Sequence, residues 1–221
     1  MFSIEKDLAG LIAALKESFG TRLIYVGLQG SHLRGEAGEG SDVDIMLVLE
    51  NLQPKDLDSY RLILSHLPWA DRACGFVCGR EELKCWNRLE LLHLLHATKD
   101  LYGALKPLVP DYSAEDVRQY ILLSVGNLYH ELCHRYIYAP LEKSERKLPG
   151  FCKAVFFILQ DLYWLRTGRF ISTKKELLAC LNGDDRTVLE FSATLSAETP
   201  YDFHGAFSIL IRWCQTTLQT M

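Results

Sequence analysis

Residues 22–50, RLIYVGLQGSHLRGEAGEGSDVDIMLVLE, limit what this chain can fold into more than any other stretch. Arg22 to Leu28 is a short β-branched and aromatic run closing on Gly30-Ser31, and Val43 to Leu49 is a second apolar run opened by Asp42-Val43-Asp44. Both read as strands. Residues two apart on a strand point the same way, so Asp42 and Asp44 aim at one face, where their repulsion is costly unless a cation sits between them. Hard oxygen ligands on a small rigid element suit Mg²⁺, which keeps several waters and takes its remaining oxygens from a phosphate. Gly30, lacking a β-carbon, lets main-chain N–H groups and the Ser31 hydroxyl come close to phosphate oxygens. The stretch therefore reads as a catalytic centre.

The rest of the chain reads as support for it. Ser3 is placed to cap a first helix whose apolar residues are Ile4, Leu8, Leu11, Ile12 and Leu15, with Gly20 past its end. After the second strand, Pro54 opens a helix over 55–66 that Pro68 ends, and Ala73 to Gly79 is a short third strand. From Arg80 a single helix is expected to carry Leu83, Trp86, Leu89, Leu92 and Leu95 until Asp100-Leu101-Tyr102-Gly103 breaks it. Pro107 and Pro110 follow, which places a boundary between domains 1–107 and 108–221. Beyond it, 116–138, 151–167, 173–181 and 204–218 carry apolar residues at helical spacing, an expected bundle of four helices. The fold class is α+β, a small mixed sheet followed by an α-helical bundle.

Net charge narrows the partners. A formal charge of −4 lacks the clustered Lys and Arg that nucleic-acid binding requires, so a small or cationic substrate is expected and nucleic acid is not. Seven cysteines, an odd number without dense spacing, read as free thiols of a reducing cytoplasm. No signal peptide is read at the N-terminus, and no run reaches the ~20 apolar residues of a membrane span.

Gly30-Ser31, ten intervening residues, then Asp42-Val43-Asp44 and an apolar strand resemble the signature of the nucleotidyltransferase superfamily, which includes DNA polymerase beta and the antibiotic adenylyltransferases. The resemblance covers about residues 20–80. It implies transfer of AMP from ATP to a hydroxyl of a small molecule such as an antibiotic, with Mg²⁺ held by Asp42 and Asp44. Gly30 and Ser31 would seat the β- and γ-phosphates, with Arg34 assisting. The segment FFILQDLYWLRTGRFISTKKELL is similar to the C-terminal domain of the two-domain aminoglycoside adenylyltransferases. By that likeness Lys153, Tyr163 and Arg166 are candidates to contact the nucleotide tail or the acceptor, in a cleft between domains. The superfamily also carries a third carboxylate on its third strand. Here that strand offers only Cys74 to Cys78, and the nearest acids are Asp71 before it and Glu81 and Glu82 after it. Asp71 would serve if the strand began a little earlier. Without a third acid, the chain is instead a weakened nucleotide-binding module or an antitoxin-like partner of the same fold.

His130-Glu131-Leu132-Cys133-His134 matches H-E-x-x-H, the spacing that puts two histidines one helical turn apart on zinc. A zinc hydrolase also needs a third ligand and an edge strand for its substrate. Only Glu142 and Glu145, in an expected loop, follow, so these histidines read as surface groups.

Overall fold

The computed structural model describes residues 4–194 and 202–221. Ser3, the expected cap, lies outside them. The chain divides into two compact units, Met1–Tyr112 and Ser113–Met221, so the division falls five residues beyond the expected 107/108.

The first unit runs α1 (Ile4–Phe19), β1 (Leu23–Gln29), α2 (Gly30–Arg34), β2 (Val43–Leu49), α3 (Pro54–Ser65), β3 (Ala73–Gly79), α4 (Arg80–Lys84), α5 (Leu91–His96) and β4 (Lys99–Tyr102). The sheet order is β3-β2-β1-β4. β1 is antiparallel to β2 and β4, whereas β2 and β3 are parallel and joined through α3. The sheet is therefore mixed, as expected.

β2 reads as an unbroken apolar run because both of its faces are covered. Val43, Ile45, Leu47 and Leu49 pack with Leu8, Leu11 and Leu15 of α1 and with Trp69. Met46 and Val48 turn the other way, against Tyr25, Cys78, Leu83 and Leu105. A register shift between Leu23 and Tyr25 lets Leu23, Val26 and Leu28 share the α1 face while Tyr25 joins the opposite one. Arg22 clamps α3 to the start of β1: its two terminal nitrogens each bond an oxygen of the buried Asp56 at 2.8 Å. Those bonds hold the Asp56 carboxyl well below the usual carboxylate range, at about 2.

Two expectations for this unit need correction. The single helix from Arg80 is instead α4, a short 3-10 turn and α5, because Asn87 caps a new start by accepting from the Leu89 N–H. The segment expected to break the helix is strand β4. It pairs only with β1, and an edge strand of four residues holding Lys99 and Asp100 has no apolar run to announce it.

The second unit consists of helices and the turns that join them, with no strand among its described residues. It comprises α6 (Ala114–Tyr138), α7 (Leu141–Glu145), α8 (Leu148–Thr167), α9 (Lys174–Cys180), α10 (Gly183–Thr194) and α11 (Phe203–Thr220). Two of these six were not expected. α7 lies in the supposed loop, and α10 hides because only Val188 and Leu189 of its run are large buried aliphatics. Ser113 starts α6 with a capping box, its hydroxyl accepting from the Asp116 N–H while the Asp116 carboxylate accepts from the Ser113 N–H at 2.7 Å. Val117, Ile121, Val125, Leu128 and Leu132 form the buried stripe of α6, which packs against α8 and α11.

Candidate active site

The end of the sheet where β1 finishes and β2 begins gathers the polar residues of the first unit. Gln29 is the cross-strand partner of Asp44 on one side, and Cys74 of β3 is its partner on the other. Side chains opposite one another share a face, so Gln29, Asp44 and Cys74 form a row, with Asp42 just beyond the strand end. Asp42 is exposed and Asp44 half-buried. Among the described residues neither takes part in a hydrogen bond or ion pair. Two carboxylates so close in the chain without a counter-charge make an electrostatic deficit that an arriving cation would relieve.

The turn between the strands presses directly on Asp44. Gly30 has φ +71°, a left-handed conformation that favours glycine, and a β-carbon there would collide with the Asp44 carboxylate. The expected glycine-serine turn is a short helix, α2, closed by Gly35 in the left-handed region and by a bond from the Glu36 N–H to the Ser31 carbonyl at 3.0 Å. Behind Ser31, the buried His32 Nε2 makes no hydrogen bond among the described residues. Arg34 is tied to Glu36 at 2.8 Å.

The loop into Asp42 is held from the turn before β3. The Arg72 guanidinium donates to the Glu39 carbonyl at 2.6 Å, and a turn at Gly38–Ser41 closes through the Ser41 hydroxyl. Arg72 was not foreseen as a positioning residue, since nothing local links it to a loop more than thirty residues earlier.

The candidate third acids lie outside β3. Asp71 sits in a 3-10 turn before β3, its side chain 83% exposed and paired with Arg72 at 4.0 Å. β3 begins at Ala73, so the position level with Asp44 belongs to Cys74, an exposed thiol. Glu81 bonds Lys84 at 2.6 Å and Glu82 folds onto Gly79. Both follow the far end of β3, roughly 17 Å of strand from Cys74 at about 3.3 Å per residue.

A second polar set stands on the same sheet face. The Tyr25 ring is fully buried, and its hydroxyl donates to Asp100 Oδ1 of β4 at 2.6 Å. Burial, and then that bond, push the phenol's pKa up, so it remains a donor. Gln29 donates to the Thr98 hydroxyl at 2.8 Å, which donates in turn to the Leu94 carbonyl at 2.6 Å.

In the second unit, Lys153 is exposed on α8, Tyr163 is half-buried, and Arg166 pairs with Asp185 at 2.5 Å. His130 and His134 lie one turn apart on α6 with ring centroids 6.2 Å apart, beside an open depression of about 390 Å³ also lined by Asn127, Glu131 and Arg135. Glu131 is neutralised by Arg135 at 2.8 Å. No group of three or more His, Cys, Asp or Glu suited to a metal ion occurs among the described residues. No helix among them is long and apolar enough to cross a membrane.

Residues 8–102 match the family described as the nucleotidyltransferase domain. Among solved structures, the chain is similar to spectinomycin adenyltransferase AAD(9) from Enterococcus faecialis, crystallised with ATP and spectinomycin. The TM-score is 0.60 at 15% sequence identity, over 97% of this chain and 99% of that one. No curated protein matches the sequence. Residues 8–102, which hold the paired carboxylates and the tight turn against them, thus match the nucleotidyltransferase-domain family, and the chain shares the fold of an adenylyltransferase structure, a small mixed sheet followed by a helical unit.

Proposed function

We propose that the chain is a Mg²⁺-dependent adenylyltransferase moving AMP from ATP onto a hydroxyl of a small molecule. One observation carries the reading: Asp44 at the head of β2 and Asp42 just before it lack any counter-charge among the described residues, and Asp44 lies against the Gly30-Ser31 turn. The donor set fits a hard cation. Two carboxylates and no third protein ligand leave positions for water and phosphate oxygens, which is how Mg²⁺ is ordinarily bound. Asp42 and Asp44 would hold Mg²⁺, which would supply positive charge to offset that developing at the α-phosphorus.

In this reading the protein's own groups do mainly positioning. Asp42 and Asp44 hold the cation. Gly30 leaves room beside Asp44, and the Ser31 hydroxyl donates to a phosphate oxygen. Arg34, oriented by Glu36, adds positive charge nearby. Arg72 fixes the loop that presents Asp42. Most of the rate then comes from orientation and fixed electrostatics. The AAD(9) structure, solved with ATP and an antibiotic, supports a nucleotide donor and a small acceptor.

The second reading, a nucleotide-binding module without efficient turnover, is favoured by the thiol of Cys74 beside Asp44, where the superfamily's third acid is expected. One experiment separates the two. ATP labelled at the γ-phosphate is incubated with aminoglycoside, spectinomycin and lincosamide acceptors, with and without Mg²⁺. Metal-dependent pyrophosphate release that falls about 10³-fold or more in Asp42→Asn and Asp44→Asn is expected, since each removes charge the transition state needs. Unchanged release in both variants refutes the reading. ATP binding with no release for any acceptor establishes the second one.

A further inference from the structure

The proposed transfer leaves one chemical role unfilled: a group to take the proton of the attacking hydroxyl. We infer that Asp100 fills it, from the acceptor side of the site. This rests on the reading just given, because it assumes that the α-phosphate lies over Asp44.

Register, not sequence proximity, brings Asp100 to the site. Asp100 is the cross-strand partner of Gly27, which is itself the partner of Met46, two residues along β2 from Asp44. Gly27 and Asp44 are thus diagonal neighbours on one sheet face, roughly 7–8 Å apart in such pairs. The Tyr25 hydroxyl leans over Gly27, for a β-carbon there would lie 2.5 Å from it and 2.6 Å from Thr98 Cγ2. From that place the hydroxyl donates to Asp100 Oδ1 at 2.6 Å. The Asp100 carboxylate is therefore anchored above Gly27, on the side of the sheet that carries Asp44.

Three features fit a base and not a structural salt bridge. Asp100 is exposed, although the Tyr25 ring that holds it is fully buried, so a rigid donor presents a carboxylate to solvent. Tyr25 fixes Oδ1 and leaves Oδ2 without a partner among the described residues. No Lys or Arg neutralises Asp100 among them. The Gln29–Thr98–Leu94 chain fills the sheet between the two acids with oriented dipoles. Asp100 and Asp44 stand too far apart to share one ion whose ligands lie at about 2.1 Å. Their separation suits a phosphoryl group and an acceptor hydroxyl in line between them.

The step balances as follows. The acceptor oxygen forms a bond to the α-phosphorus as the bond from that phosphorus to the α,β-bridging oxygen breaks. Pyrophosphate leaves with the electron pair, and the hydroxyl proton passes to Asp100 Oδ2, then to solvent. Asp71, Glu81 and Glu82 have no part in it.

The test follows pyrophosphate release from ATP by the full chain with Mg²⁺, the other product being AMP with water alone and an AMP ester of spectinomycin when that acceptor is added, in parallel with Asp44→Asn. Asp100→Asn is expected to lower kcat by about 10²-fold or more, the usual worth of a positioned base. Its KM for ATP and its ATP affinity by calorimetry should stay within twofold. Formate added to Asp100→Ala should restore part of kcat, which a merely structural carboxylate would not allow. Tyr25→Phe, an isosteric change that keeps the ring packed, should lower kcat severalfold at unchanged ATP affinity. A kcat within threefold of wild type in Asp100→Asn, with Asp44→Asn inactive, overturns this inference and leaves the proposed function standing. Undiminished turnover in Asp44→Asn overturns both.

Discussion

Two short motifs in this chain look alike on paper and differ in the structure. Asp42-Val43-Asp44 at the head of β2 and His130-Glu131-x-x-His134 on α6 each bring like groups to one side of an element. On the sheet, neighbouring strands add Gln29 and Cys74 at the same level, and the charges stay unbalanced among the described residues. On the helix, the glutamate is consumed by Arg135 one turn later and the histidines face an open depression. A spacing acquires chemistry when long-range partners leave a charge uncompensated, and loses it when a local partner cancels that charge.

That contrast can be broken first at the turn. Gly30→Val should cost about 10²-fold or more in kcat/KM for ATP, because its β-carbon collides with Asp44 and a left-handed φ suits valine poorly. Steady-state pyrophosphate release checks this, with circular dichroism showing that the fold persists. Retention of wild-type kinetics would detach the turn from the carboxylates.

Asp56→Asn probes the other kind of charge in the first unit, one that is fully compensated. It should lower stability by about 1.5–3 kcal/mol at pH 7, the range for a hydrogen bond to a charged group. Because the folded Asp56 carboxyl sits at about 2, below its usual value near 3.9, its contribution is complete above that usual value and fades as pH falls toward 2. Urea midpoints of wild type and variant should therefore converge between pH 5 and pH 2. A constant gap would mean that packing, not the ion pair with Arg22, accounts for the loss.

Ser31→Ala should act more gently, lowering kcat/KM for ATP severalfold by removing one donor to a phosphate oxygen. His130→Ala and His134→Ala should do least, leaving Mg²⁺-dependent transfer within twofold. Neither should alter the thermal midpoint on addition of zinc. A zinc-dependent rise lost in both variants would restore chemistry to the helix.

The parts of this fold legible in the sequence are those whose signal is local. β2 and β3 carry their boundaries in runs of apolar residues between turn formers, and the Gly30-Ser31 and Asp42-Asp44 spacing is read directly. β4 was missed because an edge strand of four residues, two of them charged, owes its conformation to hydrogen bonds from β1. α7 and α10 were missed because short helices bury too few residues to establish a period. The same physics hid part of the proposed site. Asp71 looked near the centre in sequence but ends in a solvent-facing turn, whereas Asp100, 56 positions beyond Asp44, reaches the right face through two strand pairings. Arg72 likewise acts through a carbonyl no local pattern points to.

The double burial of β2 bears on motion as well as packing. Its amides are bonded to neighbours on both sides, and both of its faces are sealed by side chains. Such a strand exchanges its amide hydrogens only when the whole unit opens, whereas edge segments such as β4 exchange through small fluctuations. Asp44 thus hangs from the slowest-opening part of the unit, while Asp100 sits on a margin that breathes. In the proposed reaction Asp44 would keep its coordinates between turnovers, and the freedom to admit and release an acceptor would fall to the β4 side.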